Sequence, residues 1–164
     1  MGSGKTTTGR ELARLTSLPF TDLDDCIVER TGKSINEIFL QEGEPYFRKV
    51  ESELLLEASH REDQIIATGG GIVLDSSNRN RMKATGFVIY LKTSPNVLWE
   101  RVKNKKDRPL LRGRDPEKAL ADLYRSRTPV YEASFDKTFL TDGKSSEAVA
   151  LEIYKVCFEK QCGK

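Results

Sequence analysis

Apolar residues recur along the chain in two alternating rhythms, short contiguous runs and stripes spaced three and four apart, so strands and helices should take turns. A helix-spaced stripe runs from about Lys5 to Leu15, and Pro19 separates it from a short run, Phe20 to Leu23, that reads as a strand. Ser34-Ile35-Asn36-Glu37 is a capping box that starts a helix, and Gly43 stops it. Pro45 then opens a helix whose stretch from Tyr46 to Ser59 carries Val50, Leu54, Leu55 and Ala58 on one face. Gln64 to Thr68 reads as a buried strand running into Gly69-Gly70-Gly71. A helix around Asn78 to Ala84 precedes a strand from Phe87 to Leu91, and Ser94-Pro95 starts a helix bearing Val97, Leu98, Trp99 and Val102. Lys103 to Arg114 is a long polar, basic stretch containing Pro109 and Gly113. Asp115-Pro116 caps a helix, Glu117 to Arg127, that Pro129 should break. A strand at Thr138 to Thr141 and a helix from about Ser146 to Glu159 close the chain.

Four strands alternating with helices, without an internal repeat or a low-complexity linker, imply an α/β sandwich around a parallel sheet. The 164 residues suit a single domain with a sizeable core. Composition narrows the chemistry. Lys plus Arg number 27 against 25 Asp plus Glu, a balance that argues against a dedicated nucleic-acid surface. No apolar run approaches the ~18 residues of a membrane span, and no secretory h-region is seen, so no membrane partner is expected. Cys26, Cys157 and Cys162 are odd in number and lack C-x-x-C spacing, which fits reduced thiols in a cytoplasmic protein and no zinc site. The single histidine, His60, lies in a polar Ser-His-Arg-Glu-Asp stretch that reads as a solvated helix end, so no histidine-based triad or metal cluster can be built.

The strongest chemical signal is Gly2-Ser3-Gly4-Lys5-Thr6-Thr7, which matches most of G-x-x-x-x-G-K-[ST]. Glycines let backbone N–H groups curl around a polyphosphate, Lys5 reaches its β- and γ-phosphates, and the Thr6 hydroxyl suits Mg²⁺. The helix that follows adds its N-terminus to the anion site. The full pattern has a glycine three residues before Gly2 and a buried strand before that, so the expectation is a truncated or mis-started chain whose missing strand belongs mid-sheet.

In parallel sheets ligands bind outside the carboxyl ends of the strands. Asp22, Asp24 and Asp25 follow the first run, and Asp22 and Asp24, two apart, share a face in an extended segment, while Asp25 is expected to cap the next helix. Carboxylates facing a triphosphate need Mg²⁺ or a substrate hydroxyl between them. Arg48 lies in the first turn of a helix, where an exposed ion pair with Glu44 is the plain alternative to a functional role. Three glycines at a strand end lose much entropy on folding, so Gly69, Gly70 and Gly71 mark a place where bulk is excluded and backbone N–H groups approach something. The basic connection could act as a lid that brings Arg108 or Arg114 to a γ-phosphate. Arg127 is expected at a helix C-terminus, where a cation is ordinary.

These residues resemble a shikimate kinase over essentially the whole chain. The resemblance rests on the glycine-rich loop, Asp22-x-Asp24, Phe47-Arg48-x-x-Glu51, the glycine triplet, Arg108-Pro109-Leu110-Leu111 and Arg127-x-Pro129-x-Tyr131. It implies a three-layer α/β/α P-loop kinase fold with a five-stranded central parallel sheet. It also implies transfer of the ATP γ-phosphoryl to the shikimate 3-hydroxyl on the route to chorismate and the aromatic amino acids. By that resemblance the ATP-binding residues are Gly2, Ser3, Gly4, Lys5, Thr6, Thr7, Arg101, Arg108, Lys144 and Ser145. Arg101 would stack on adenine, and Thr141 to Ser145 would line its other face. Shikimate would meet Asp24, Arg48, Gly69, Gly70, Gly71 and Arg127, within a region of about residues 25–60 and beneath a lid of about residues 103–116. Lys5, Asp24 and Arg108 would be catalytic, and Mg²⁺ would be held by Thr6 and, through water, Asp22. The partners would be ATP or ADP and shikimate, and the chain would be a monomer. Gluconate kinase-like or adenylate kinase-like activity, or a non-catalytic binding module, are the alternatives; the arginines with Asp24 favour an acidic polyol acceptor. Arg108→Ala is expected to lower kcat at least ~10²-fold while sparing shikimate affinity, and unchanged turnover would remove Arg108 from the mechanism.

Overall fold

A computed structural model of the chain describes residues 2–104, 110 and 115–159. In order these form α1 (Lys5–Thr16), β1 (Phe20–Asp22), α2 (Leu23–Thr31), α3 (Ile35–Gln41), α4 (Gly43–Ala58), β2 (Ile65–Ala67), a 3₁₀ turn (Ile72–Leu74), α5 (Ser76–Thr85), β3 (Ile89–Lys92), α6 (Pro95–Val102), α7 (Pro116–Glu132), β4 (Lys137–Leu140) and α8 (Ser146–Cys157). Arg108 and Arg114, the cations expected on a lid, and Cys162 lie outside the described residues.

Alternation within the strands builds three layers. Ile65 joins Leu12 of α1, Leu91, Phe139 and the buried Val149, Ala150 and Ile153 of α8. Its neighbour Ile66 faces the other way, into a core of Leu23, Ile27, Ile38 and the α4 stripe Phe47, Val50, Leu54, Leu55 and Ala58. In β3, Leu91 shares the α1–α8 layer, while Tyr90 stacks on Tyr131 of α7 at 5.1 Å between ring centroids. The pairing is parallel throughout, Phe20 opposite Ile65 in one ladder and Ile89 opposite Lys137 in the other. Among the described residues the strands form two parallel pairs, β1 with β2 and β3 with β4, and no ladder joins the pairs.

Four local expectations are corrected. Asp25 does not cap α2; the helix begins one residue after β1, and Asp22 is the cap, accepting from the Asp24 N–H at 2.9 Å. Asp24 therefore lies in a helical turn, not in an extended segment beside Asp22. Pro129 does not break α7, which runs on to Glu132. A proline inside a helix costs about 3 kcal/mol, but here the turns beyond it are anchored: Val130 and Tyr131 pack on the α4 core, Tyr131 stacks on Tyr90, and Glu132 pairs with Lys92. Arg127 is consequently mid-helix and buried, and not at an exposed helix end. The capping box at Ser34 and Glu37 forms as expected, and His60 is exposed in the turn after α4.

Candidate active site

One cleft of about 770 Å³ runs along the carboxyl ends of the strands, and it brings together the glycine-rich loop, Asp22, Asp24, Arg48, Gly69 to Gly71, Arg101, Arg127 and Lys144. Its floor is the loop from Gly2 to the start of α1. Gly2 and Gly4 have φ of 74° and 88°, a region costly for any side chain. A Cβ on Gly2 would also come within 2.8 Å of Val102, so α6 backs the loop directly. The first turn of α1 contains no acidic residue, leaving its open N–H groups to an anion. The Thr6 hydroxyl donates to the Asp22 carboxylate at 2.6 Å. Two hard oxygen donors at a phosphate loop fit Mg²⁺, which keeps several waters and takes its other ligands from phosphates. They would be too few for a metal held by protein alone, and no cluster of three or more His, Cys, Asp or Glu that could do so exists among the described residues.

The opposite end of the cleft carries the arginines. Arg48 donates from Nη1 to Glu51 at 2.7 Å, and from Nη2 and Nε to Glu44 at 2.9 and 3.1 Å. The Glu44 pair weighed against function is therefore real, yet it does not exhaust Arg48, whose guanidinium also lies against the glycine triplet. A Cβ on Gly71 would fall on that guanidinium, and one on Gly69 would fall on the Glu51 carboxylate and 3.3 Å from Asp24 Oδ1. The glycines exclude bulk because charged groups already occupy the space.

Glu51 is 0% exposed. Burial raises its pKa against the pull of Arg48, and the charge of Asp24 pushes the same way while Arg127 opposes it. Burial would lower the Arg48 pKa, but Glu51 and Glu44 outweigh it and raise it. The two partners thus move in the same direction for different reasons: desolvation governs the enclosed carboxylate, and ion pairing governs the half-buried guanidinium. Arg48, Asp24 and Arg127 accordingly surround one carboxylate, and the two arginines converge on the same end of the cleft.

Arg101 reaches from α6 to Thr141, donating to its carbonyl at 3.1 Å and its hydroxyl at 3.3 Å, and to the Gly2 carbonyl at 3.3 Å. It ties the phosphate loop to the segment before α8. In that segment Lys144 lines the cleft and pairs with Glu152. The Ser145 side chain caps α8 by accepting from the Ala148 N–H at 3.2 Å, and the hydroxyl that lines the cleft is that of Ser146, which donates to Thr7 at 2.9 Å. Sequence reasoning gave Ser146, Glu51 and Tyr131 no individual role. Glu51 was detectable from its i,i+3 spacing to Arg48, whereas Tyr131, which donates to the Gly70 carbonyl at 2.5 Å across 61 residues, left no local signal.

The model of the shikimate kinase family matches residues 1–158. The shikimate kinase of Xylella fastidiosa strain M12 is 42% identical over 153 residues, 93% of this chain and 85% of its own length. That of Pasteurella multocida strain Pm70 is 44% identical over 154 residues, covering 93% and 88% of the two chains. A solved shikimate kinase from Acinetobacter baumannii in complex with shikimate is similar with a TM-score of 0.94 and 37% identity, over 98% of this chain and 90% of that one.

Proposed function

Because the chain belongs to the shikimate kinase family, we propose that its cleft holds ATP and shikimate end to end, the triphosphate over α1 and the ring acid among Asp24, Arg48 and Arg127. The chain is an ATP-dependent shikimate kinase, producing shikimate 3-phosphate and ADP in aromatic amino acid biosynthesis. The observation that carries the residue roles is the convergence of Lys5, Asp24, Arg48 and Arg127 on one cleft.

Shikimate offers one carboxylate and several hydroxyls. Arginine forks match the carboxylate, so Arg48 and Arg127 grip it while Gly70 adds a backbone N–H, with Gly69 and Gly71 leaving room. Asp24 accepts from the ring hydroxyls and takes the proton of the 3-hydroxyl as its oxygen attacks the γ-phosphorus and ADP departs. Such transfers are mostly positioning and charge stabilisation, which falls to Lys5, the loop N–H groups and, from the lid, Arg108. The family's reaction generally uses Mg²⁺; here Thr6 and, through water, Asp22 would hold it, where it would neutralise phosphate oxygens. Arg101 and the segment from Thr141 to Ser145 flank adenine. The same reading takes the chain as a monomer and as cytoplasmic; the supports for the latter are the odd cysteine count and the lack, among the described residues, of a helix long and apolar enough to cross a membrane.

A coupled ADP-release assay with shikimate, quinate, gluconate and AMP as acceptors tests the pocket. Shikimate is expected to give the highest kcat/KM. Faster turnover of gluconate or AMP would show that the arginine pair does not select a ring acid.

A further inference from the structure

The glycine triplet is the least constrained backbone in the cleft, since glycine brings no side chain to brace it. It can present N–H groups to a ligand only if something else fixes its peptide planes. The Gly69 carbonyl accepts from the Ile72 N–H at 3.3 Å, which sets the plane carrying the Gly70 N–H. The Gly70 carbonyl accepts from the Tyr131 hydroxyl at 2.5 Å. A trans peptide is planar, with its N–H opposed to its C=O, so that single bond also sets the direction of the Gly71 N–H.

Tyr131 is itself held firmly. Its ring packs on the α4 core, and Tyr90 stacks between it and Phe135, at 5.1 and 5.6 Å. It stands four residues after Arg127 in α7, on the same helix face. Burial raises the phenol's pKa, and the positive charges of Arg127 and Arg48 pull it back. The hydroxyl therefore lies where the glycine triplet, Arg127 and the Arg48–Glu51 pair meet.

We propose that Tyr131 is a positioning residue of the shikimate site: its hydroxyl fixes the Gly70–Gly71 peptide from the same helix that carries Arg127, so that the triplet and α7 present the carboxylate clamp as one unit. The proposal rests on the reading of Arg48 and Arg127 as that clamp. It requires the hydroxyl and not the ring, because the ring serves the core whether or not the oxygen is present.

Tyr131→Phe keeps the ring and its stack and removes the oxygen. The shikimate KM is expected to rise about tenfold, with kcat and the ATP KM changing less than about threefold. Tyr90→Phe, which removes the hydroxyl of the neighbouring ring and keeps the same stack, is expected to leave the shikimate KM unchanged. In an Arg127→Ala background the effect of Tyr131→Phe should shrink, because the clamp that the fixed peptide completes is already broken. A Tyr131→Phe protein that melts at lower temperature but keeps its shikimate KM has lost packing only, and the proposal falls. If Arg127→Ala raises the shikimate KM and Tyr131→Phe does not, the clamp stands and only the role of Tyr131 is overturned. If neither Arg48→Ala nor Arg127→Ala changes the shikimate KM, the clamp and the proposal fall together.

Discussion

Lys5→Ala is expected to lower kcat by about 10²–10³-fold while changing the shikimate KM little. The charge at stake develops on the transferring phosphoryl group, and Lys5 stands at the first position of α1, where the loop glycines deliver it to the cleft. A side chain that stabilises charge only as it forms shows itself in turnover more than in ground-state binding. Lys5→Arg should recover little, since a broad planar guanidinium does not replace a compact ammonium in a loop closed behind by Val102. ADP release at saturating shikimate measures both variants. Turnover within a few-fold of the parent protein would mean that the triphosphate tail does not lie over α1.

Arg48→Ala should act on the other substrate, raising the shikimate KM by about 10²-fold or more with a smaller fall in kcat. It also removes the hydrogen-bonding partner of a carboxylate that is 0% exposed. Breaking a buried pair in this way costs about 3–5 kcal/mol unless the orphaned group neutralises itself. Glu51 already has its folded pKa raised above the ordinary 4.5 by burial. Loss of Arg48 removes an opposing influence and raises it further. A carboxyl with a raised folded pKa favours the folded state fully below its unfolded pKa, and that contribution is lost as pH rises through the folded value. The melting temperature of Arg48→Ala should therefore climb relative to the parent as pH falls from 8 towards 5. Arg48→Ala combined with Glu51→Gln should recover stability at neutral pH without recovering shikimate binding, which separates the clamp from the fold. An unaltered shikimate KM in Arg48→Ala would refute the assignment.

Much of this was legible before any coordinates. The capping box at Ser34, the α4 stripe and the strand runs depend on neighbours three or four residues apart or on contiguous apolar stretches, and those are written in order along the chain. The glycine-rich turn into α1 was legible for the same reason: its glycines, lysine and threonine are adjacent, and the backbone geometry they adopt is local. Where the reading failed, a distant contact had overruled a local rule. Pro129 should end a helix, yet Tyr131, Val130 and Glu132 are tethered to Gly70, the α4 core and Lys92 firmly enough to carry α7 past it. Asp25 was the expected cap, but the abrupt passage from β1 into α2 gave that position to Asp22, which also receives the Thr6 hydroxyl from α1.

By itself, then, the amino-acid order determined the alternation of strands and helices, the glycine-rich start of α1 and the candidate residues at each strand end, because period, capping and turn chemistry act over a few positions. Tertiary structure alone decided that Arg127 is enclosed mid-helix, that Glu51 is a buried counter-charge to Arg48, and that a phenol 61 residues away holds the Gly70 carbonyl. Those are matters of desolvation and of contacts between elements, and they exist only once the layers have closed on one another.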